Sequence, residues 1–577
     1  MIPGGIPTNE AKLKEFVQEL AEQCNVSVSL RAAYYRMLNA IAETGRYDGT
    51  KSLINMMFVH LARTAALLFS PVELEFKLDF ERPYPKDIQK KGAMTAKLLT
   101  RQWERNGTDM VFGRGVFEAL KYGACILKQW PQLEGVKGKE RPTYHRKLVM
   151  PWQFGVYRED ENEIENQEVL CETTTLTLPE VWHRICMFDD AKKLFDRVKT
   201  HARKGNAENE PSSFFHQILS TNQLNTSGQQ GLVRPGGMVN LQNDPVSAIM
   251  GPVLGVEVVQ MRELWVKDEY DYVTLQFIEP DILLSGRFKH SNLLIKDSRQ
   301  QPYRLIQPNE VSNWFWGRSE LYDIIEPQQL LSTWADDAKR LLGVQIDKFL
   351  GFIGEAGLTD ELYAQARMAG YIPLPQGSSI TDLTPKFPPE MLPMLKWVID
   401  IIDRLGGFPD ILQGRGEQGV RAGVHADTLV KTGSPMLRDR ALLVERQCAT
   451  AADLTLTLME AKDEMFYWTD GDDVKQMEET KFLISQLPED WRVAVDSHKS
   501  SPIFADETGQ LIVAGSKLGW VDGHYAIDNL PFPNKEAAMQ ALREKERKQQ
   551  EMMAQLIKRD PEAAEKILAK QRGGGHR

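Results

Sequence analysis

The chain has 577 residues, and its 70 Lys and Arg against 80 Asp and Glu give a formal net charge of −10. Hydrophobic residues make up 42% of the chain and charged residues 26%, which is near the average for globular proteins and excludes disordered, collagen-like and coiled-coil chains. At about 150 residues per domain, the length allows roughly three or four compact units, or fewer larger ones.

The cysteines and the N-terminus indicate where the protein folds. The cysteines are odd in number and none has metal-ligand spacing, which predicts reduced, buried thiols. The N-terminus lacks the basic start and apolar core of a signal peptide, and the most apolar stretch, 56–70, is interrupted by His60 and Arg63. We therefore expect no membrane segment and folding in a cytoplasm. The cysteines are Cys24, Cys125, Cys171, Cys186 and Cys448.

The first 160 residues are predicted to be α+β. Apolar residues recur at helical spacing over 10–70, and apolar and charged residues then alternate over 72–80, which is typical of a half-buried strand. Pro83 and Pro85 end that strand. The patterns further predict helices at about 86–105 and 109–122, and strands at 124–130 and 147–157 around a polar turn.

The next segment changes composition twice. A helical pattern runs over 176–202, and residues 203–250 are rich in Gly, Asn, Gln, Ser and Pro, which is typical of an insertion or long loop. Runs of Val, Leu and aromatic residues at 256–268 and 272–284 then predict strands.

The remainder predicts a two-helix stalk with a compact tip, followed by a further long helix. One long amphipathic helix is expected within 313–342, then a Gly- and Pro-rich module at 351–390 and a helix at about 392–405. One helix is predicted to stop at Gly433, and the next is predicted to have Ser434 as its N-cap and Pro435 as its first residue. Short strands such as 492–498 and a charged helix at 535–570 close the chain.

Motifs of catalysis are weak or missing. Residues 414–419 match GxGxxG, but a dinucleotide site needs a strand before the glycines, and the preceding pattern is helical, which favours a mobile glycine loop. Neither a GxxxxGK[ST] phosphate loop nor a GxSxG elbow occurs. The histidines lack HExxH spacing, so we assign no metal and no cofactor.

The glycine loop and the helix after it hold a modest excess of basic residues. Without other context, a solvated helix face is the simpler interpretation of such a run, and charge alone leaves the choice open. The basic residues are Arg415, Arg421, Lys431, Arg438, Arg440 and Arg446, against Glu417, Asp427, Asp439 and Glu445.

The order of these elements resembles that of the portal proteins of tailed bacteriophages, most of all those of short-tailed phages. The resemblance rests on NWFWGRSELYDIIEPQQLL at 313–331, the Gly/Pro-bounded module and second helix after it, and the glycine loop with its long broken helix at 406–462. Upstream, VMPWQFGVY and the strands around ELWVKD are similar to the family's wing. The resemblance covers most of the chain, but it consists of the order of the elements and includes no invariant catalytic signature. The polar insertion departs from the family pattern.

The resemblance implies an α+β, predominantly helical fold with wing, stem, clip and crown. The implied parts are a wing at 1–310 with the polar insertion at about 203–250, a first stem helix at 311–342, a clip at 343–390, a second stem helix at 391–406, a tunnel loop at 407–424, a tunnel helix with remaining wing at 425–500, and a crown at 501–577.

The resemblance also implies a function and partners. Such proteins form a ring of twelve subunits at one capsid vertex, through which double-stranded DNA is packaged and ejected. The implied partners are the terminase, then tail adaptor and tail proteins, and the major capsid protein at the wing. We expect a structural protein rather than an enzyme, assembled in the host bacterial cytoplasm and located in the virion, without membrane contact.

Candidate site residues follow from the implied parts. A mostly acidic channel lets DNA slide, while a few basic rings centre it. The channel candidates are Arg415, Arg421, His425 and Lys431; the hinge glycines of the loop are Gly406, Gly407, Gly414, Gly416, Gly419 and Gly423; and the clip docking candidates are Asp360, Glu361, Arg367 and Tyr371.

Two other functions compete with the ring. One is a nucleotide-binding enzyme that uses the 414–419 loop, and the other is a collar or scaffold subunit that is not a portal. Nucleotide binding would distinguish the first, and a ring with an open axial channel would argue against the second.

Overall fold

The computed structural model is a mixed helix and strand fold in which helix predominates. It describes residues 6–7, 9–47, 50–134, 141–186, 190–204, 257–268, 271–278, 282–283, 288–289, 301–346, 350–353, 379–382, 386–407, 435–461, 466–470, 478–488, 490–496, 515–516, 541–542, 544–545 and 547. Among these residues, no helix is long and apolar enough to cross a membrane.

The helices begin and end at residues suited to capping. The Asn9 side chain accepts a hydrogen bond from the Ala11 amide at the start of α1, and Gly45 ends that helix with a φ of +80°. Thr177 and Glu180 form a capping box at the start of α5. The helices are α1 Glu10–Thr44, α2 Met56–Leu68, α3 Lys86–Asn106, α4 Thr108–Tyr122, α5 Leu178–Ile185, α6 Ala191–His201, α7 Ile325–Ile346, α8 Met391–Leu405 and α9 Pro435–Ala461.

The strands form a large sheet, a three-stranded sheet and three two-stranded ribbons. They are β1 Glu75–Phe80, β2 Cys125–Glu134, β3 Arg141–Val149, β4 Phe154–Val156, β5 Val169–Thr177, β6 Arg203–Lys204, β7 Glu257–Asp268, β8 Asp271–Ile278, β9 Ile282–Leu283, β10 Phe288–Lys289, β11 Tyr303–Ile306, β12 Leu350–Ile353, β13 Ser379–Asp382, β14 Phe466–Asp470, β15 Glu478–Phe482 and β16 Trp491–Asp496. The seven-stranded sheet has the order β10-β8-β7-β5-β4, with β6 on β7 and β9 on β8; the smaller sheet is β11-β2-β3, and the ribbons are β1-β16, β12-β13 and β14-β15.

Helix α1 connects two hydrophobic cores. Its first half packs Leu13, Val17 and Leu20 against the large sheet. Its second half places Leu38 and Ile41 in the main core, which also contains residues of all the other long helices and of β1, β2 and β16. The helix therefore holds the sheet and the helical body together.

Buried charges join the two sheets. Lys128 of β2 donates to Glu172 of β5 at 2.6 Å and to Glu263 of β7 at 2.7 Å, and Tyr303 donates to Glu172 at 2.8 Å. Burial opposes ionisation of Glu172, but Lys128 and Lys147 outweigh it and hold the pKa of this carboxyl well below its usual range. These buried charged and polar side chains are hydrogen-bonded to one another, so we assign them a structural role in joining the two sheets.

Several predicted elements are confirmed. Helices lie within 10–70, α3 and α4 match their predicted spans to about one residue, and α8 runs from Met391 to Leu405. Helix α9 begins at Pro435, the residue predicted as its first. The β2–β3 hairpin and strands β7, β8 and β16 are also present.

Other predictions were wrong in detail. The strand predicted over 72–80 begins at Glu75, after a 3-10 turn at Pro71–Glu73. The strand predicted over 147–157 is β3 and β4 in two different sheets. The helical span 176–202 contains the end of β5 and two short helices. Asn313 and Gly317 both have positive φ, so no helix runs through them, and the first long helix begins at Ile325. The insertion predicted at 203–250 begins with strand β6, and its remaining residues and most of the helix predicted at 535–570 lie outside the described residues.

The predicted burial of the thiols is confirmed for four of the five cysteines. Cys24, Cys125, Cys171 and Cys448 are buried and form no disulfide bond, and burial raises the pKa of the Cys24, Cys125 and Cys448 thiols. Cys186, just after α5, is exposed, contrary to expectation.

Candidate assembly surface and its junction with the core

Helices α7 and α8 pack against each other, and both contribute to the main core. The buried face of α7 includes Leu331, Ala335 and Ala338, spaced as one side of a helix requires. Helix α8 turns Val398 and Ile402 inward. Each helix therefore has one face that the rest of this chain covers.

Helix α8 has a second apolar stripe, rotated by about 100° from the buried one, because its residues directly precede Val398 and Ile402 in the sequence. Met394, Trp397, Ile401 and Leu405 recur every three to four residues, so they share one helix face. Trp397 is 57% exposed and Leu405 is 53% exposed. We call these four residues the outer stripe. Large hydrophobic side chains grouped on the surface mark interaction sites, since their exposure to water is unfavourable.

The chain between α7 and α8 leaves and returns through paired strands. Strands β12 and β13 are antiparallel, with Leu350 opposite Asp382 and Ile353 opposite Ser379. This pairing brings together the two ends of residues 354–378, which lie outside the described residues. The two helices of the predicted stalk are present and are joined at this end by the β12–β13 ribbon. The compact tip predicted between them lies outside the described residues.

A buried carboxylate ties the segment before α7 to α2 and α9. Glu320 accepts from His60 of α2 at 3.1 Å, from Arg440 of α9 at 2.6 Å and from Asn309 at 2.9 Å. The Ser319 hydroxyl donates to the Lys121 carbonyl at 2.7 Å, which fixes the same segment to the end of α4. We call Glu320, His60, Arg440 and Asn309 the Glu320 junction.

The electrostatics of the junction favour an ionised Glu320. Burial alone raises the pKa of this carboxyl, but the hydrogen bond from His60 and the charge of Arg440 outweigh burial and lower the pKa to about 2. The charge of Arg440 is therefore used inside the protein. It does not belong to a solvated helix face, which was the simpler interpretation of the basic run.

Two of the predicted hinge glycines lie at the end of α8. A Cβ at Gly406 would overlap the imidazole ring of His60, so the close contact between α8 and α2 requires glycine there. Gly407 has a φ of +73°, and its amide donates to the Arg404 carbonyl, which is a helix-terminating conformation. Both glycines thus have local structural roles.

Helix α9 is held along its length by polar contacts. Gln447 and Gln307 exchange two hydrogen bonds, at 2.9 and 3.1 Å. Further along, Thr455 donates to Gln129 at 2.6 Å and accepts from Trp103 at 3.1 Å. These contacts place α9 at the centre of the described structure, between β11, β2 and α3.

The aromatic motif that begins at Asn313 is part of the interior. Phe315 and Trp316 are buried, and the Trp316 indole donates to Glu159 at 2.7 Å. The Arg31 guanidinium lies 3.6 Å from the Trp316 ring centroid. This segment therefore fastens the start of α7 to the sheets.

Most sequence-predicted site residues lie outside the described residues. These are the channel candidates Arg415, Arg421, His425 and Lys431, the glycines Gly414, Gly416, Gly419 and Gly423, and the clip candidates Asp360, Glu361, Arg367 and Tyr371. Sequence reasoning missed the outer stripe and the Glu320 junction. The helical spacing of the four stripe residues could have revealed the stripe. No local sequence pattern predicts the junction, because its residues are far apart in the sequence.

The GxGxxG motif at 414–419 lies outside the described residues, as do residues 408–413 directly before it. The last described element before them is helix α8. Among the described residues, no group of three or more His, Cys, Asp or Glu side chains is arranged to hold a metal ion.

No family model matches this chain, and no curated protein matches it.

Proposed function

We propose that this chain is a subunit of a ring-forming phage portal, through which double-stranded DNA enters and leaves a capsid. The observation that carries the proposal is the outer stripe of α8. It lies on one helix of a pair that is joined through the β12–β13 ribbon, and the segment before the first of these helices is fixed to the core by the Glu320 junction. An exposed apolar stripe at this position suits packing against a neighbouring subunit.

A closed ring needs two different surfaces on each subunit, because its interfaces are head-to-tail. The outer stripe is one candidate surface. A second set of exposed hydrophobic side chains comes from other elements, namely Phe58 of α2, which is 55% exposed, with Val72 and Met110. Two unlike apolar sets support a heterologous interface better than a two-fold dimer.

The charge of the chain fits a DNA conduit. Each Lys or Arg that neutralises a phosphate strengthens DNA binding, so a strongly basic wall would hold the duplex in place. A net charge of −10 per subunit favours sliding instead. A few basic rings from Arg415, Arg421 and Lys431 then centre the duplex in the channel.

The proposed partners follow from the same assignment. The module between α7 and α8 docks the terminase and then tail proteins, and the sheet-containing part contacts the capsid. The ring passes DNA without hydrolysing nucleotide, so energy for packaging comes from the terminase. The chain itself performs no catalysis.

The proposal is tested by replacing one residue of the outer stripe. Trp397→Ser removes the largest exposed side chain of α8, and we expect the assembled species in sedimentation velocity to give way to monomers. Tyr157→Ser, at an exposed aromatic residue outside the stripe, is the control and should assemble like the wild type. Unchanged assembly of Trp397→Ser, or a monomeric wild type, contradicts the proposal.

The DNA-handling part has its own test. Arg415→Ala combined with Arg421→Ala should leave ring formation intact and weaken retention of packaged genome. Normal packaging and normal retention in this variant would remove both arginines from the proposed channel.

A further inference from the structure

Helix α2 contacts the described residues at both ends of 408–434, the segment that contains the proposed channel arginines. One end is the C-terminus of α8, followed by Gly406 and Gly407, and the other is the first turn of α9. A Cβ at Gly407 would lie 3.9 Å from the Leu437 side chain, so the two ends are neighbours. The segment between them lies outside the described residues. The chain therefore leaves and re-enters the described structure at one place.

The first contacts of α2 are with the end of α8. His60 lies so close to Gly406 that this position has no room for a Cβ. One turn further along α2, the Arg63 guanidinium lies 3.7 Å from the carboxylate of Asp403, which is buried in the last turn of α8. Two successive turns of α2 therefore hold the end of α8.

The same histidine reaches α9 through one carboxylate. The His60 Nε2 atom is 3.1 Å from Glu320, and the Arg440 guanidinium donates to both oxygens of Glu320, at 3.3 and 2.6 Å. Arg440 lies in the second turn of α9. Hydrogen bonds of this kind between charged groups are strong and directional. His60 and Glu320 thus connect the end of α8 to the start of α9.

Helix α2 is a rigid support for these contacts because the main core fixes it. Met57, Leu61 and Leu68 are fully buried there. The Asn55 side chain caps the helix by accepting from the Met57 amide at 3.0 Å. The helix belongs to neither of the two ends that it contacts, so it gives both of them one reference position.

We infer that His60 and Arg63 are positioning residues that set where residues 408–434 leave α8 and enter α9. This inference rests on the proposed function, in which Arg415 and Arg421 of that segment act on DNA. Side chains that bind a ligand must be held accurately by the structure that supports them. A displacement of α8 relative to α9 would therefore reduce the effect of both arginines on the duplex.

Spin labels at the two ends test the inference on the full chain. Arg404→Cys and Arg438→Cys place the labels at exposed positions of α8 and α9, in a Cys186→Ser background that removes the exposed native thiol. Double electron–electron resonance measures the distance between the labels, and dilution with unlabelled chains restricts the signal to pairs within one chain. We expect a narrow distribution, which His60→Ala broadens roughly two-fold because the two ends lose their shared contact.

Further variants separate positioning from lost stability. His60→Gln keeps a donor near the place of Nε2 and should restore most of the narrow distribution. Arg63→Gln should broaden the distribution less than His60→Ala does, and it keeps the fold because the Arg63 side chain is 45% exposed. Val198→Ala, a core substitution in α6, is the control, which should lower stability and leave the label distance unchanged.

Retention of packaged genome tests whether the positioning matters for DNA. His60→Ala should form rings and lose retention, and His60→Gln should recover it. An unchanged label distance in both His60→Ala and Arg63→Gln overturns the inference, as does equal broadening in Val198→Ala. Normal retention in a variant with broadened distances overturns it too. Failure of the wild type to form rings would instead contradict the proposed function, and the label distances would still decide whether α2 positions the two ends.

Discussion

Helices α8 and α9 are both rich in apolar residues, but they use them differently. In α9, residues 451–459 are buried on nearly every side, and only Asp453 among them is partly exposed. In α8, one face is buried while Trp397 and Leu405 of the outer stripe are more than half exposed. The two helices thus differ in how much of their surface this chain covers.

The polar contacts of the two helices follow the same division. Helix α9 has internal partners for Arg440, Gln447 and Thr455. Helix α8 is attached by its inner face, by Asp403, whose carboxylate lies 3.7 Å from Arg63, and by the close approach of Gly406 to His60. The contacts of α9 are therefore made within one chain, whereas α8 has a second apolar face that is exposed to water.

The largest effect on stability is expected where α9 meets the segment before α7. Glu320→Gln leaves the guanidinium of Arg440 largely buried without a countercharge, so we expect the free energy of unfolding to fall by about 3 kcal/mol. Urea denaturation measures this change. Glu310→Gln, an exposed carboxylate in the same segment, is the control and should change the free energy by less than about 0.5 kcal/mol. Similar losses in both variants would mean that the junction adds no special stability.

The same junction predicts a pH dependence. The pKa of Glu320 is lowered from 4.5 to about 2, so its ionised form adds stability above pH 4.5 that is lost as the pH falls toward 2. At about 1.4 kcal/mol per pKa unit, the contribution is about 3 kcal/mol at neutral pH. The stability gap between wild type and Glu320→Gln should therefore narrow between pH 5 and pH 2.5 in urea titrations. A constant gap across this range would contradict the assigned pKa.

A smaller effect is expected at the end of α8. Gly406→Ala places a Cβ in the imidazole ring of His60, and overpacking of this kind costs about 1–3 kcal/mol. Gly343→Ala, in α7, is the matched control, because a Cβ there meets no atom within 4 Å. In a helix that exchange should stabilise the protein by up to about 1 kcal/mol. Thermal unfolding should show opposite signs for the two variants, and equal signs would refute the contact.

The smallest effect is a difference in reactivity that leaves the fold unchanged. Cys448 of α9 is buried, and burial raises the pKa of its thiol, whereas Cys186 is exposed. A thiol reagent under native conditions should modify Cys186 first, and Cys448 only after unfolding. Mass spectrometry of the labelled peptides identifies the modified residue. Rapid native labelling of Cys448 would show that α9 is less enclosed than described.

Local pattern was enough to predict much of the helical framework. The spacing of apolar residues predicted α8 to within one residue at its start, and Pro435 marked the first residue of α9 because proline suits the first turn of a helix. The spacing of apolar residues indicates which side of a single helix or strand is buried. It therefore predicts such elements even when the residues that pack against them are unknown.

The rest depends on contacts between distant residues. Glu320 and Arg440 are separated by 120 positions, and the run containing Arg440 has the composition of a solvated face. Strand β4 follows β3 closely yet pairs with β5 in another sheet. The outer stripe was visible in the spacing of α8, but only the fold distinguishes it from the inner stripe, since both have helical periodicity.

We have proposed that the outer stripe joins copies of this chain into a ring. Negative-stain electron microscopy of the purified protein tests this proposal by counting subunits in end-on views. We expect rings of twelve subunits with an axial channel wide enough for duplex DNA. Monomers, two-fold dimers or closed discs without a channel would contradict it.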